Sequence, residues 1–171
     1  MAKKLKRDKR VVFTVDLEDW NHGLHCDKRG HTSGKAVAYL EGLLARKNIK
    51  AIFYVLGDYD REVIGMTDGL RDEGHAVMSH GEHHTRNEPT ADRKPYSWLG
   101  FTGGFYFRLF PYKLIKWFVE RKGMFYIHPH DLDEDHPKLK NPIMNWKRRV
   151  GLKTARMKLE RLTNDIKWKT P

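Results

Sequence analysis

Three short stretches carry side chains that could do chemistry together. Asp16-Leu-Glu-Asp19 places three carboxylates within four residues. Such a group repels itself and loses hydration on burial unless a cation or water satisfies it. In a strand of period two, Asp16 and Glu18 share a face. Ser79-His80-Gly-Glu-His83-His84 follows later in the chain. His80 and His84 stand four apart, the spacing that sets two imidazoles on one face of a helical turn, within reach of one ion. His83, at three-residue spacing, competes for the same assignment. The third stretch is His128-Pro-His-Asp131. A histidine at a strand end beside a site is suited to general acid work. Each stretch alone has a plain structural reading: a capped acidic turn, surface histidines in a loop, a structural histidine.

What gives them weight is the elements that must position them. Residues 11–16, VVFTVD, are β-branched and aromatic and read as a buried strand. A helix is predicted from about Lys35 to Arg46, capped by Thr32 or Ser33, with Ala36, Val37, Leu40, Leu43 and Leu44 inward. Residues 50–56 read as a second strand, about 60–73 as a helix with Gly74 as its C-cap, and 75–78 as a third strand. Residues 85–104 are rich in Pro and Gly and read as loop. A helix over 111–121 begins at a proline and closes at Gly123, and 124–127 form a fourth strand. The tail from about Arg149 to Asn164 is helical by spacing. This order predicts an α/β fold with parallel strands. Chemistry in such folds gathers at the C-terminal strand ends. The carboxylates, the His-x-x-x-His and His128 each follow a predicted strand. Together they make the inventory of a metal-assisted hydrolase: ligands, base and acid.

The 171 residues suit one domain with one core, over about 11–165, with tails at 1–10 and 166–171. The basic N-terminus leads into too short an apolar run for a signal peptide, and no run approaches a membrane span, so a cytoplasmic protein is expected. The single cysteine, Cys26, excludes an intrachain disulfide and a Cys-rich zinc site. The net charge of +11 is concentrated at the ends: +5 in the first ten residues and +7 in 147–171. The near-neutral middle argues against a nucleic-acid enzyme. The basic ends read as solvated tails, with contact to an anionic membrane as a further use.

These blocks resemble the polysaccharide deacetylase family, the carbohydrate esterases that include chitin and peptidoglycan deacetylases. Thr14-Val-Asp-Leu-Glu-Asp-Trp20 is similar to the first motif of a branch written T-V-D-V-E-D-W/Y, and Ala51–Gly57 to its second strand. Gly74-His-Ala-Val-Met-Ser-His-Gly-Glu-His-His84 resembles the metal motif G-H-E-I-x-S-H-x-x-x-H. Gly103–Tyr112 and Phe125–Asp131 resemble the branch's later part. The resemblance implies a distorted (β/α) barrel, here trimmed, because only 43 residues separate His84 from His128. A homodimer would cover the open side.

By position, the resemblance implies Asp16 as general base, His80 and His84 as metal ligands, and His128 as general acid. Most members carry the third ligand directly after the base. That place is Leu17 here, so Glu18 or Asp19 must supply it. Arg93-Lys-Pro-Tyr96 fits the family's Arg-x-Pro-aromatic motif, whose Arg orients the base, but lies unusually near His84. The implied ion is zinc, with cobalt or nickel as substitutes. The implied reaction removes acetyl from an N-acetylated sugar or glycan precursor. Trp20, Tyr96 and Trp98, with Phe105 and Tyr106, are candidates for stacking on sugar rings. The competing readings are a glycan-binding member without turnover and an amide hydrolase acting on a non-sugar substrate.

Overall fold

The computed structural model describes residues 10–18, 34–57, 66–81, 100–135 and 138–171. Strand β1 (Val11–Leu17) lies in the middle of a parallel sheet with β2 (Ile52–Val55), β3 (Ala76–Ser79) and β4 (Met124–Ile127). The order is β3-β2-β1-β4, an open arc among the described residues. This is the parallel α/β half-barrel that the sequence predicts, with the strand ends on one rim.

The register divides the sheet into two faces. Val15 pairs with Phe53 and with Ile127, and Phe53 with Val77. Phe13, Val15, Leu17, Phe53, Phe125 and Ile127 are all buried and belong to the core. Helix α1 (Gly34–Arg46) covers that core with Ala36, Val37, Leu40, Leu43 and Leu44, the five residues its spacing predicts. The opposite face carries Thr14 and Asp16 on β1, Tyr54 on β2, Met78 on β3 and Tyr126 on β4. Because side chains alternate, Glu18, His80 and His128 fall on this second face as the strands run out.

Helix α2 (Met66–Asp72) leads into His75, whose Nδ1 accepts the Ala51 N–H at 3.1 Å. Helix α3 (Gly104–Leu109) fills the gap between the loop read over 85–104 and the helix predicted over 111–121, where no element was expected. It starts where Gly103 meets β4: a Cβ on Gly103 would lie 1.7 Å from the Tyr126 carbonyl oxygen, so only glycine fits. Helix α4 (Tyr112–Lys122) follows, as predicted.

In the C-terminal region, helix α5 (Pro142–Arg149) is unexpected, whereas helix α6 (Leu152–Asp165) is the one predicted from about Arg149 to Asn164 and buries Leu152, Ala155, Leu159 and Leu162 as its spacing predicts. Gly151 separates them at φ 72°, where a Cβ would meet the Arg108 carbonyl oxygen at 2.3 Å. The expected tail at 166–171 instead carries a short strand, β5 (Trp168–Lys169), pairing with Val11–Val12 of β1. Trp168 packs on Phe13 with ring centroids 5.0 Å apart. Seven of the nine basic residues of 147–171 therefore sit on α5 and α6, and Lys169 on β5. No helix among the described residues is long and apolar enough to cross a membrane.

Candidate active site

Asp16 and Glu18 stand at the C-terminal end of the central strand, each only 4% exposed. His80 follows β3, held by its own N–H on the Val55 carbonyl at 2.8 Å. His128 follows β4. The four side chains converge. Glu18 lies between the two imidazoles: Oε2 is 3.5 Å from His80 Nε2, and Oε1 is 3.5 Å from His128 Nε2. Asp16 Oδ2 is 3.6 Å from the same His128 nitrogen.

A second layer fixes His128. Asp131 Oδ2 accepts the backbone N–H of His128 at 3.1 Å and lies 2.9 Å from its Nδ1. The Pro129–Leu132 3-10 turn brings Asp131 back under the ring. Such a bond puts the proton on Nδ1 and turns Nε2 to the carboxylates. Asp131 in turn takes the Arg108 Nε at 2.9 Å through its other oxygen. Arg108 is buried, and its remaining donors reach the carbonyls of Lys147, Arg148 and Val150. The end of α5 is thus tied to the acid–imidazole cluster.

Protonation follows this wiring. Burial works against charge on His128, but the bond and charge of Asp131, with Glu18 and Asp16, outweigh it and raise its pKa. Burial also disfavours charge on Asp131, yet the His128 bond and the Arg108 guanidinium hold its carboxyl well below the ordinary range. His130 stacks on His128 at 4.5 Å, and burial together with that neighbour pushes it well below the usual imidazole value. Tyr126, edge-on to His128 at 5.8 Å, is pushed up by burial and by the charges of Asp131 and Asp16.

Among the described residues, two donor sets could hold a divalent ion. His128, His130 and Asp131 bring ligand atoms within 4.8 Å of one another. However, the Asp131 carboxylate already faces the Arg108 guanidinium, which repels a cation there. The Glu18–His80 pair fits better. Its 3.5 Å separation exceeds a good N–H···O hydrogen bond. It is close to the roughly 3.4 Å edge of a tetrahedron whose bonds are about 2.0–2.1 Å. Carboxylate plus imidazole is also the donor chemistry that suits zinc.

Beside the cluster lies a cavity of about 400 Å³. Glu18, Tyr126 and His128 line it, together with Phe105 and Tyr106 of α3 and Lys147 and Arg148 of α5.

A family described as "Domain of unknown function (DUF3473)" matches residues 65–171, more than half of the sequence. The chain belongs to the DUF3473 family. A comparison with curated proteins gives no match. Among solved structures, the chain is similar to the Bc1960 peptidoglycan N-acetylglucosamine deacetylase, crystallised with 4-naphthalen-1-yl-N-oxidanyl-benzamide. Identity is 16% and the TM-score 0.36, over 71% of this chain and 57% of that one. It is also similar to a mutant of BA3943, a CE4 family pseudoenzyme with restored enzymatic activity. Identity there is 10% and the TM-score 0.47, over 92% and 64%. The chain spans less than two thirds of either structure.

The DUF3473 segment contains His80, Arg108, His128 and Asp131, whereas Asp16 and Glu18 precede it. The structure brings Asp16, Glu18, His80 and His128 together, all four singled out from sequence. Of the two candidates for the third ligand, Glu18 and Asp19, Glu18 meets His80, and Leu17 before it turns into the core. Asp19, Trp20, His83, His84, Arg93, Tyr96 and Trp98 lie outside the described residues. Phe105 and Tyr106 do border the cavity. Sequence reasoning missed Arg108, Tyr126 and the orienting role of Asp131. Tyr126 was legible in principle, since it shares His128's face two residues earlier. Arg108 and Asp131 are 23 residues apart, and nothing local pairs them.

Proposed function

We propose that this protein is a metal-dependent hydrolase that removes the acetyl group from an N-acetylated amino sugar. The observation that carries the reading is the buried meeting of Asp16, Glu18, His80 and His128 at 3.5–3.6 Å on one rim of a parallel sheet. The choice of an N-acetyl sugar comes from the motif resemblance. Glu18 and His80, with His84, would hold a divalent ion, zinc by donor type. When bound, the ion would supply Lewis-acid polarisation of a carbonyl and a water of lowered pKa.

The chain's own residues divide the rest. Asp16 takes a proton as water attacks the acetamide carbon. His128, whose pKa Asp131 raises, gives its Nε2 proton to the leaving nitrogen. The C–N bond breaks, and acetate and a free amine result. An amide is a poor electrophile with a poor leaving group, so base and acid are both needed. Asp131 and Arg108 are positioning residues: they fix the His128 ring and its tautomer. The cavity beside the rim would seat the sugar, with Phe105 and Tyr106 available to its apolar ring face. In a cytoplasmic setting the substrate would be a glycan precursor rather than a finished polymer.

The test is acetate release from N-acetylglucosamine oligomers with zinc supplied. Wild type should release acetate, and His80→Ala should not. Equal release from both would sink the scheme.

A further inference from the structure

Helix α4 carries two apolar stripes, and the fold uses one of them. Ile115 and Val119 are buried in the core. One such stripe is enough to dock an amphipathic helix. The second is turned outward: Leu114 is 40% exposed and Trp117 51%. Phe101, in the 3-10 turn Gly100–Thr102, and Leu109, at the end of α3, are exposed as well. A single exposed apolar side chain needs no explanation, whereas a continuous set does. The rings here are continuous. Trp117 meets Phe118 with centroids 4.9 Å apart, and Phe118 stacks on Phe101 at 5.5 Å. Phe101 then meets Tyr106 at 4.8 Å, and Tyr106 lines the cavity.

Cations border this apolar surface. Lys113 and Arg121 are exposed and stand four residues before and after Trp117, on its side of the helix. The Arg121 guanidinium lies over the Trp117 ring, 5.4 Å from its centroid. Glu120 is the one acid of α4, and the Lys116 ammonium stands 3.9 Å from it. An isologous dimer through this face would bring its cations against their own copies, which is unfavourable. Trp, Phe and Leu beside Lys and Arg instead suit the boundary of an anionic bilayer. The 11 residues of α4 make about 17 Å of helix, against roughly 30 Å of bilayer hydrocarbon. Such a helix lies in the boundary and does not cross it.

We propose that the protein docks peripherally on an anionic membrane, with Phe101, Leu114 and Trp117 in the headgroup boundary and Lys113 and Arg121 on lipid phosphates. The contact uses α4 rather than the basic ends of the chain, and it does not depend on the hydrolase reading.

The experiment is sedimentation of the full chain with vesicles of phosphatidylcholine, alone or with about a third phosphatidylglycerol. The protein should sediment with the anionic vesicles and about tenfold less with the neutral ones, and added salt should release it. Leu114→Ser/Trp117→Ser should lose binding. Lys113→Gln/Arg121→Gln should lower it about tenfold. Trp146→Ser, at a second exposed tryptophan on α5, should bind like wild type. All five side chains are exposed, so each variant should fold, which urea unfolding checks. No binding to anionic vesicles, equal binding to neutral ones, or binding that survives Leu114→Ser/Trp117→Ser would each overturn the inference. So would a dimer in solution that the same double substitution dissolves, because the face would then belong to a second copy.

Discussion

The two ends of the sheet treat buried polar groups in opposite ways. At the N-terminal end, His75 is buried and settled: its Nδ1 accepts the Ala51 N–H at 3.1 Å, and burial, its main influence, lowers its pKa. Nearby, β5 pairs with Val11 and Val12, and Trp168 packs on Phe13. At the C-terminal rim, His128 is likewise enclosed, yet acids face it and its pKa is raised. There Glu18 stands 3.5 Å from the imidazoles of His80 and His128, and Asp16 3.6 Å from that of His128, too far for good hydrogen bonds. One end holds the fold, and the other gathers the groups that the proposed reaction uses. Variants at the rim should therefore cost activity, and variants at the base should cost stability.

The largest effect should come from Asp16→Asn. Loss of a general base lowers acetate release by roughly 10²–10⁴-fold. The melting temperature should hold or rise, because one of two crowded carboxylates is neutralised. A large fall in melting temperature would mean that the rim, too, holds the fold.

Asp131→Asn comes next. Turnover should fall about 10–100-fold, the usual size for a group that orients another, with KM little changed. Asp131 raises the His128 pKa, so its loss should lower that pKa. The acid must be protonated to act, so the alkaline limb of the pH–rate profile should move to lower pH. A limb that stays put would remove His128 as the acid.

At the base, Trp168→Ala should destabilise the protein by about 2 kcal/mol, less than a fully buried aromatic costs. Urea unfolding reads this directly, and acetate release per folded molecule should be unchanged. A loss of activity in the folded variant would erase the division between the two ends.

The smallest effect concerns His75. Its folded pKa is lowered, so the unfolded chain takes up the proton first as pH falls. Stability should be fully present above about pH 6.5, the unfolded value, and decline below it. His75→Asn keeps an acceptor for Ala51 and cannot titrate, so its unfolding curves should lose that part of the pH dependence. Identical slopes in both proteins would show that His75 is not the buried neutral group described.

The sequence makes the two ends unequally legible. Strands β1, β2 and β4 are runs of apolar β-formers, and α1 buries the face its spacing predicts. The acids and histidines of the rim follow directly, because each sits where a strand stops. Helix α3 was hidden among glycines that are there to let the chain pass close to β4. Helix α5 buries none of its residues, so it has no apolar stripe to read. Its start was nonetheless written in Asn141-Pro142: the Asn141 side chain accepts the N–H groups of Ile143 and Met144. The Arg108–Asp131 pair and the docking of Trp168 depend on contacts between distant segments, which spacing does not encode.

The proposed reaction turns on where a divalent ion binds. Elemental analysis of wild type, His80→Ala and His130→Ala after equilibration with zinc tests it most directly. The rim account predicts about one ion per chain in wild type and in His130→Ala, and none in His80→Ala. Metal retained without His80 and lost without His130 would contradict it and move the site to the His128–His130–Asp131 group.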